Sequence, residues 1–183
     1  MLVWLRRMRH SRGFGIQSPR DYSFIRYVVN EHYPYYAYAD LAKALPNISK
    51  RTRKLCELYF RISNYCQANV IVNCFPTDGA YSEYFHAGCH KSVIVDNLDD
   101  VDTIELLRVS VHKIDAAFID KLLSKVNDKS LVIIEGIHHD KETRKTWRNV
   151  IKQEQVTISF DLYYTGILFF DNKRYKQHYI INF

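Results

Sequence analysis

The sequence of 183 residues lacks long apolar runs, paired cysteines and internal repeats. Because no apolar run approaches the roughly 20 residues that span a bilayer, a transmembrane helix is not expected. The apolar start, Met1 to Leu5, is shorter than a signal-peptide core, and arginines follow it instead of preceding it. The four cysteines show no spacing typical of metal or redox sites, so we expect reduced, packed thiols in a cytoplasmic protein.

The remaining composition is typical of a globular protein, with 47% hydrophobic and 25% charged residues. A chain of this length without repeats or long linkers suits one domain with a sizeable core. We therefore predict a single domain over residues 1–183, in which a basic helical N-terminal extension (1–66) precedes an α/β core (67–183).

Positive charge is concentrated in the first third of the chain. Residues 1–61 hold 12 Lys and Arg against 4 Asp and Glu, whereas the net charge of the whole chain is only +6. A basic surface attracts phosphate groups, which makes nucleic-acid binding one function to consider. Charge runs also mark ordinary solvated helix faces, and both interpretations stay open at this stage.

Four short, β-branched apolar runs follow in the second part of the chain, separated by helical stretches. Each run ends in an acid or a polar residue: Asn73, Asp96, Asp120 and Glu135. Unbroken apolar runs of this length are typical of strands buried on both faces of a parallel sheet. The alternation predicts strands near 69–74, 92–96, 115–119 and 130–135, and helices near 79–87, 100–109, 120–126 and 140–152.

The two ends of the chain carry different patterns. Ser18 can cap a helix that begins at the following proline, and residues 49–66 repeat apolar side chains at helical spacing. Residues 156–160 and 167–170 flank a turn, which predicts an antiparallel hairpin, and a last strand is expected from Gln177 to Ile181. The predicted fold class is α/β, with a Rossmann-like, doubly wound, mostly parallel sheet, a C-terminal antiparallel hairpin and N-terminal helices.

Several segments match the pattern of a known family. They are Gly13 to Pro19 (Gly-Phe-Gly-Ile-Gln-Ser-Pro), Ile137-His138-His139, Trp147, the pair Val156 to Leu162 and Gly166 to Phe170, and Lys176 to Tyr179 (Lys-Gln-His-Tyr). On these residues the chain resembles the class I S-adenosylmethionine-dependent methyltransferases, in particular a small bacterial subgroup that looks like O-methyltransferases. The resemblance covers roughly residues 9–35 and nearly all of 69–183, and its C-terminal third is the most specific part.

The resemblance implies that S-adenosylmethionine binds across the carboxyl ends of the first strands. Four residues would contact or border it: Asn73, Gly79, Asp96 and Asp120. In the family, a Glu-x-Gly-x-x-x-Gly turn lets the backbone approach the cofactor. The aligned positions here are Asn73, Phe75 and Gly79, and Pro76 removes a further backbone donor. Asp96 matches the acid that accepts hydrogen bonds from both ribose hydroxyls.

Glu135 and His138 are the predicted catalytic residues, because a carboxylate or imidazole at the end of the fourth strand could act as a general base. The alternative is that they cap the next helix and face solvent. No metal site is predicted. The strand ends lack the Asp-Asn pair of metal-dependent O-methyltransferases, and the cluster of His86, Cys89 and His90 has no second ligand pair nearby.

Three functions from different classes follow. The first is an S-adenosylmethionine-dependent methyltransferase, acting on a small-molecule acceptor that the sequence does not identify. The second is a catalytically inactive methyltransferase-like module that binds or supports another molecule, which Phe75, Pro76 and the short loop after Asp120 favour. The third and less favoured function is nucleic-acid binding by the basic first 61 residues. The hairpin strands also offer edges for a homodimer, and no membrane partner is expected.

Overall fold

The centre of the molecule is a seven-stranded mixed sheet. The computed structural model describes Leu5 and residues 7–10, 13–74 and 79–183. The strands are β1 (Val70–Asn73), β2 (Val93–Val95), β3 (Leu106–Ser110), β4 (Leu131–Glu135), β5 (Ile158–Asp161), β6 (Thr165–Phe169) and β7 (Gln177–Ile180). They lie side by side in the order β2-β1-β3-β4-β6-β5-β7.

Parallel pairing dominates the first half of this sheet. β1 runs parallel to β2 and β3, and β3 runs parallel to β4. β6 is antiparallel to both β4 and β5, and β7 joins β5 in parallel. The predicted fold class, a mostly parallel α/β sheet with a C-terminal antiparallel hairpin, is therefore confirmed. The register places Ser110 opposite Glu135, so β3 and β4 end together at one edge of the sheet.

Helices cover both faces of the sheet. They are α1 (Pro19–Phe24), α2 (Tyr36–Ala44), α3 (Lys50–Cys66), α4 (Ala80–Gly88), α5 (Ala116–Lys125) and α6 (Lys141–Lys152). Buried side chains of α1, α3 and α4 share one apolar cluster, and those of α5 and α6 share the other. The sheet is therefore doubly wound. Among the described residues, no helix is both long and apolar enough to span a bilayer.

The predicted helix cap at Ser18 and the helix predicted over residues 49–66 are confirmed. The Ser18 hydroxyl accepts a hydrogen bond from the Asp21 backbone N–H at 3.3 Å, and α1 begins at Pro19. The Ser49 hydroxyl accepts from the Thr52 backbone N–H at 3.0 Å and starts α3. These hydroxyls satisfy N–H groups that have no partner inside the helix. Helix α2, in contrast, was not predicted.

The prediction for residues 100–126 was wrong in two places. The expected helix at 100–109 contains strand β3, because Arg108 interrupts its apolar run and hides the strand signal. The expected strand at 115–119 begins helix α5, because the Asp115 carboxylate accepts the Phe118 backbone N–H at 2.8 Å and caps a helix there. Asp120 consequently lies exposed in the middle of α5, not at the end of a strand.

Candidate functional site

The candidate site lies at the carboxyl edge of the parallel strands. β1 has β2 on one side and β3 on the other, so the chain winds away from β1 in both directions. In open α/β sheets, such a switch point opens a crevice for ligands outside the strand ends. Two cavities occur along this edge among the described residues, one beside β1 and β2 and one beside β4.

The first cavity, called the Asp96 hollow, has a volume of about 560 Å³. It is lined by Asn73 at the end of β1, Asp96 directly after β2, Asp100 in the following turn, and Ser82 in the first turn of α4. The structure thus brings together two of the predicted cofactor residues, Asn73 and Asp96. Two carboxylates and a hydroxyl make the hollow suited to a ligand with hydroxyl groups to donate.

Gly79, a third predicted cofactor residue, is the N-cap of α4. Its φ of −72° is open to any residue. No heavy atom in the described part of the chain lies within 4 Å of the position that a Cβ would occupy. Among the described residues, none therefore occupies the space beside this helix start. Phe75 and Pro76, which the sequence places in the same turn, lie outside the described residues.

A buried ion pair lies beneath the strand ends. Arg108, on β3, is 1% exposed and forms a salt bridge with Glu135 at the end of β4. The Tyr59 hydroxyl donates to the other Glu135 oxygen at 2.5 Å, and the Tyr81 ring lies 4.7 Å from the guanidinium carbon. Burial and then the Glu135 charge raise the pKa of Tyr59 well above its usual value, which keeps this donor protonated.

Arg108 also contacts Asn73, a residue that lines the Asp96 hollow. Its Nη1 donates to the Cys74 carbonyl at 3.3 Å and approaches the Asn73 Oδ1 at 3.5 Å. The Asn73 Nδ2 in turn donates to the Ser82 hydroxyl at 3.0 Å. Sequence reasoning missed Arg108 because it fell within a predicted helix. The sequence does contain one signal, a single cation inside a short apolar run. A cation buried in a strand requires a carboxylate as its partner.

The second cavity, called the His138 cleft, has a volume of about 450 Å³. Glu135 and His138, the two predicted catalytic residues, both line it, as do Tyr81 and Tyr163. The Tyr163 ring stacks on the His138 ring, with centroids 5.2 Å apart and planes within 7°. The cleft therefore combines aromatic walls with a titratable imidazole, a lining suited to a small ligand that carries a polar group.

Asp161 holds His138 in place, and sequence reasoning did not identify it. Its carboxylate bonds the His138 Nε2 at 2.6 Å and the Arg7 Nη2 at 2.7 Å. It also accepts the backbone N–H of Tyr163 at 2.9 Å, which supports the left-handed φ of 75° at that residue. In the neutral imidazole, a proton on Nε2 leaves Nδ1 as the acceptor nitrogen. This arrangement equips His138 to take a proton from a bound group.

We expect Asp161→Asn to lower the free energy of unfolding by about 1.5–3 kcal/mol at neutral pH, because it removes the carboxylate charge from the hydrogen bonds with Arg7 and His138. Burial opposes ionisation of Asp161, but His138 and Arg7 outweigh it and lower the pKa of the carboxyl group. The stabilisation is therefore complete at pH values above the pKa of Asp161 in the unfolded chain, which is about 4. It is lost as the pH falls through the lower pKa of the folded state. Chemical denaturation across acidic pH measures this loss.

The matched control is Asp171→Asn, whose partner Arg20 is 61% exposed. Solvent screens that pair, so a smaller loss is expected. A loss at Asp171 equal to that at Asp161, or a wild-type advantage that does not shrink in acid, contradicts the prediction.

Several N-terminal arginines bond to other parts of the protein. Arg7 and Arg20 pair with Asp161 and Asp171. Arg61 is 6% exposed and donates to the carbonyls of Val28 and Val29. Part of the positive charge of the first third therefore stabilises the fold and does not form a phosphate-binding surface. Nucleic-acid binding stays an untested prediction.

Comparison with known proteins establishes neither a family nor an activity for this chain. No protein-family model and no curated protein matches this chain. Among solved structures, a methyltransferase from Geobacter sulfurreducens is similar, with a TM-score of 0.48 and 11% sequence identity. The alignment covers 84% of this chain and 97% of that one. At this level of similarity, the match does not indicate an activity.

Proposed function

We propose that this chain is an S-adenosylmethionine-dependent methyltransferase of O-methyltransferase type. The cofactor would occupy the Asp96 hollow, and a small hydroxyl-bearing acceptor would occupy the His138 cleft. The observation that carries the proposal is that Arg108 contacts Asn73 in the hollow and Glu135 in the cleft. Arg108 thus bonds to one residue that lines each cavity, which supports placing the two reactants in neighbouring cavities at this edge of the sheet.

The residues of the Asp96 hollow fit this cofactor. Asp96 offers two acceptor oxygens to a ribose diol. No described residue lies within 4 Å of the Cβ position at Gly79, where α4 starts, and the backbone N–H groups of a helix start favour a carboxylate such as that of the cofactor's amino acid portion. When bound, S-adenosylmethionine supplies an electrophilic methyl group.

The residues of the His138 cleft fit the acceptor. His138 would take the hydroxyl proton, while Asp161 fixes the imidazole tautomer and stabilises the imidazolium that forms. Tyr81 and Tyr163 would pack against the acceptor and exclude water. Glu135 is less suited to be the base, because its two oxygens already interact with Arg108 and Tyr59. Its proposed role is to hold Arg108 between the two cavities.

The second candidate function is an inactive methyltransferase-like module. Two predicted site residues favour this candidate, because their polar atoms are already bonded to other residues of the protein. Both polar atoms of the Asn73 amide have partners within the protein, and both Glu135 oxygens do as well. Such bonding is expected of residues that have become structural.

Cofactor binding separates the two candidates. We expect isothermal titration calorimetry of the full chain to show S-adenosylmethionine binding with a micromolar dissociation constant. Asp96→Ala should weaken binding by about 10–100-fold, because it removes hydrogen bonds to a charged acceptor. Asp102→Ala is the matched control, since Asp102 is an exposed acid near the same strand that does not line the hollow.

The enzyme proposal fails if millimolar S-adenosylmethionine gives neither heat nor a rise in melting temperature. A ligand that binds only the folded state must raise the stability of the protein. The absence of both a heat signal and a rise in melting temperature therefore means that the cofactor does not bind. In that case the inactive module is the remaining interpretation. Equal weakening by Asp96→Ala and Asp102→Ala would instead place the cofactor outside the Asp96 hollow.

A further inference from the structure

Two histidines and an aspartate meet above the carboxyl edge of the sheet. His112 lies in the turn after β3, and His139 and Asp140 lie in the turn after β4. Because β3 and β4 are parallel neighbours that end together, their following turns leave the sheet at the same place. One ligand atom from each of the three side chains lies within 4.8 Å of the other two.

The two turns are held together by local structure. Gly136 begins the second turn with a left-handed φ of 77°, which favours glycine. A Cβ there would lie only 3.4 Å from the Val111 side chain of the first turn. The rings of His112 and His139 are 5.3 Å apart, and the His139 Nδ1 lies 3.2 Å from the Asp140 Oδ2.

Asp140 is prepared to act as an anionic ligand. It is the N-cap of α6, where one carboxylate oxygen accepts the Thr143 backbone N–H at 2.8 Å. That bond fixes the orientation of the carboxylate, as is common for carboxylate ligands of metals. Its second oxygen faces the histidine.

We propose that His112, His139 and Asp140 bind one divalent transition-metal ion, for which Zn²⁺ is the reference. Imidazole nitrogens and a carboxylate oxygen are typical Zn²⁺ ligands at about 2.0–2.2 Å, which places tetrahedral ligand atoms about 3.4 Å apart. The ligand atoms of these exposed side chains need to approach one another by at most about 1.4 Å to reach that spacing. Three protein ligands leave one coordination position open.

The proposed ion would lie at the edge of the His138 cleft, since His139 also lines that cleft. A small molecule in the cleft with a hydroxyl or carboxylate group could therefore occupy the open position. The metal site uses none of the residues that line the Asp96 hollow. Its existence consequently does not depend on whether S-adenosylmethionine binds.

A second histidine pair provides a matched control. The rings of His86 and His90 lie 5.4 Å apart at 80°, close to the 5.3 Å and 78° of His112 and His139. No third ligand joins that pair within the described residues. If surface histidine pairs alone were sufficient for binding, both pairs would bind. If the carboxylate is needed, only the pair beside Asp140 binds.

The test is a Zn²⁺ titration of the full, chelator-treated chain near neutral pH by isothermal titration calorimetry. We expect one equivalent to bind with a micromolar or lower dissociation constant. His112→Ala and His139→Ala should each weaken binding by at least about tenfold, since loss of a ligand exceeds the effect of losing its supporting contacts. Asp140→Asn should weaken it similarly while keeping the helix cap. His86→Ala should leave it unchanged.

Substitution with Co²⁺ gives a second measurement. A tetrahedral site with nitrogen and oxygen ligands should produce visible absorption that disappears in His112→Ala. The proposal is overturned if the wild type binds no Zn²⁺, or if His86→Ala weakens binding as much as His112→Ala. It is also overturned if His112→Ala and His139→Ala both retain wild-type affinity. Circular dichroism of each variant verifies that α6 remains folded.

Discussion

Replacing Glu135 with leucine is expected to lower the free energy of unfolding by about 3–5 kcal/mol, because it leaves the buried Arg108 cation without its anionic partner. The Tyr59 hydroxyl loses its acceptor in the same variant. For a chain of this size, such a loss lowers the melting temperature by about 6–20 °C. Denaturant titration followed by circular dichroism measures the change.

The reciprocal variant and the double variant identify the cause. Arg108→Met leaves a buried carboxylate and should cost a similar amount. In Arg108→Met/Glu135→Leu both charges are absent, and hydrophobic side chains of similar volume fill the space. Replacing a buried ion pair in this way is often neutral or stabilising, so we expect the double variant to be more stable than either single variant.

An exposed ion pair provides the control. Lys121 and Asp99 also form a salt bridge, but their side chains are 36% and 61% exposed. When Asp99 is replaced by alanine, water hydrates the remaining Lys121 charge. Asp99→Ala should therefore change the free energy of unfolding little. If the effects of Arg108→Met and Glu135→Leu simply add in the double variant, the ion pair is not what these residues contribute.

The position of Arg108 also explains how far the fold could be predicted from sequence. β1, β2 and β4 are uninterrupted apolar runs, and each was predicted within a residue or two. β3 is as buried as β4, but Arg108 breaks its run, and only the tertiary partner Glu135 makes a buried cation tolerable there. The apolar segment after Asp115 was mistaken for a strand because a local cap, not hydrophobic periodicity, decides its structure.

The candidate site could likewise be predicted from the sequence only in part. The proximity of Asn73 and Asp96 follows from parallel strands that end at one edge, which hydrophobic patterning can predict. The contact between Arg7 and Asp161 joins residues 154 positions apart, and no local pattern indicates it. The meeting of His112 with His139 likewise depends on β3 and β4 being neighbours, and β3 was the strand that the sequence concealed.

Replacing Gly88 with alanine is expected to destabilise the protein by about 1–3 kcal/mol or more, because α3 and α4 pack without space for a side chain. A Cβ at Gly88 would lie 2.3 Å from the Phe60 carbonyl oxygen and 2.9 Å from the Ser63 Cβ. The Phe60 carbonyl oxygen is a backbone atom, so no side-chain rotation can relieve this clash. The helices must separate, which would strain the hydrogen bond from the Ser63 hydroxyl to the Phe85 carbonyl at 2.7 Å.

Gly79→Ala is the matched control at the other end of α4. The substitution is chemically identical, but Gly79 has a φ of −72°, and nothing in the described chain lies within 4 Å of the added Cβ. Alanine is slightly less favourable than glycine at an N-cap, but it also restricts the unfolded chain, so a net change within about 0.5 kcal/mol is expected. Equal destabilisation by the two variants would show that general glycine-to-alanine effects, not helix contact, determine the result. A stability of Gly88→Ala close to wild type would mean that α3 and α4 separate at negligible cost.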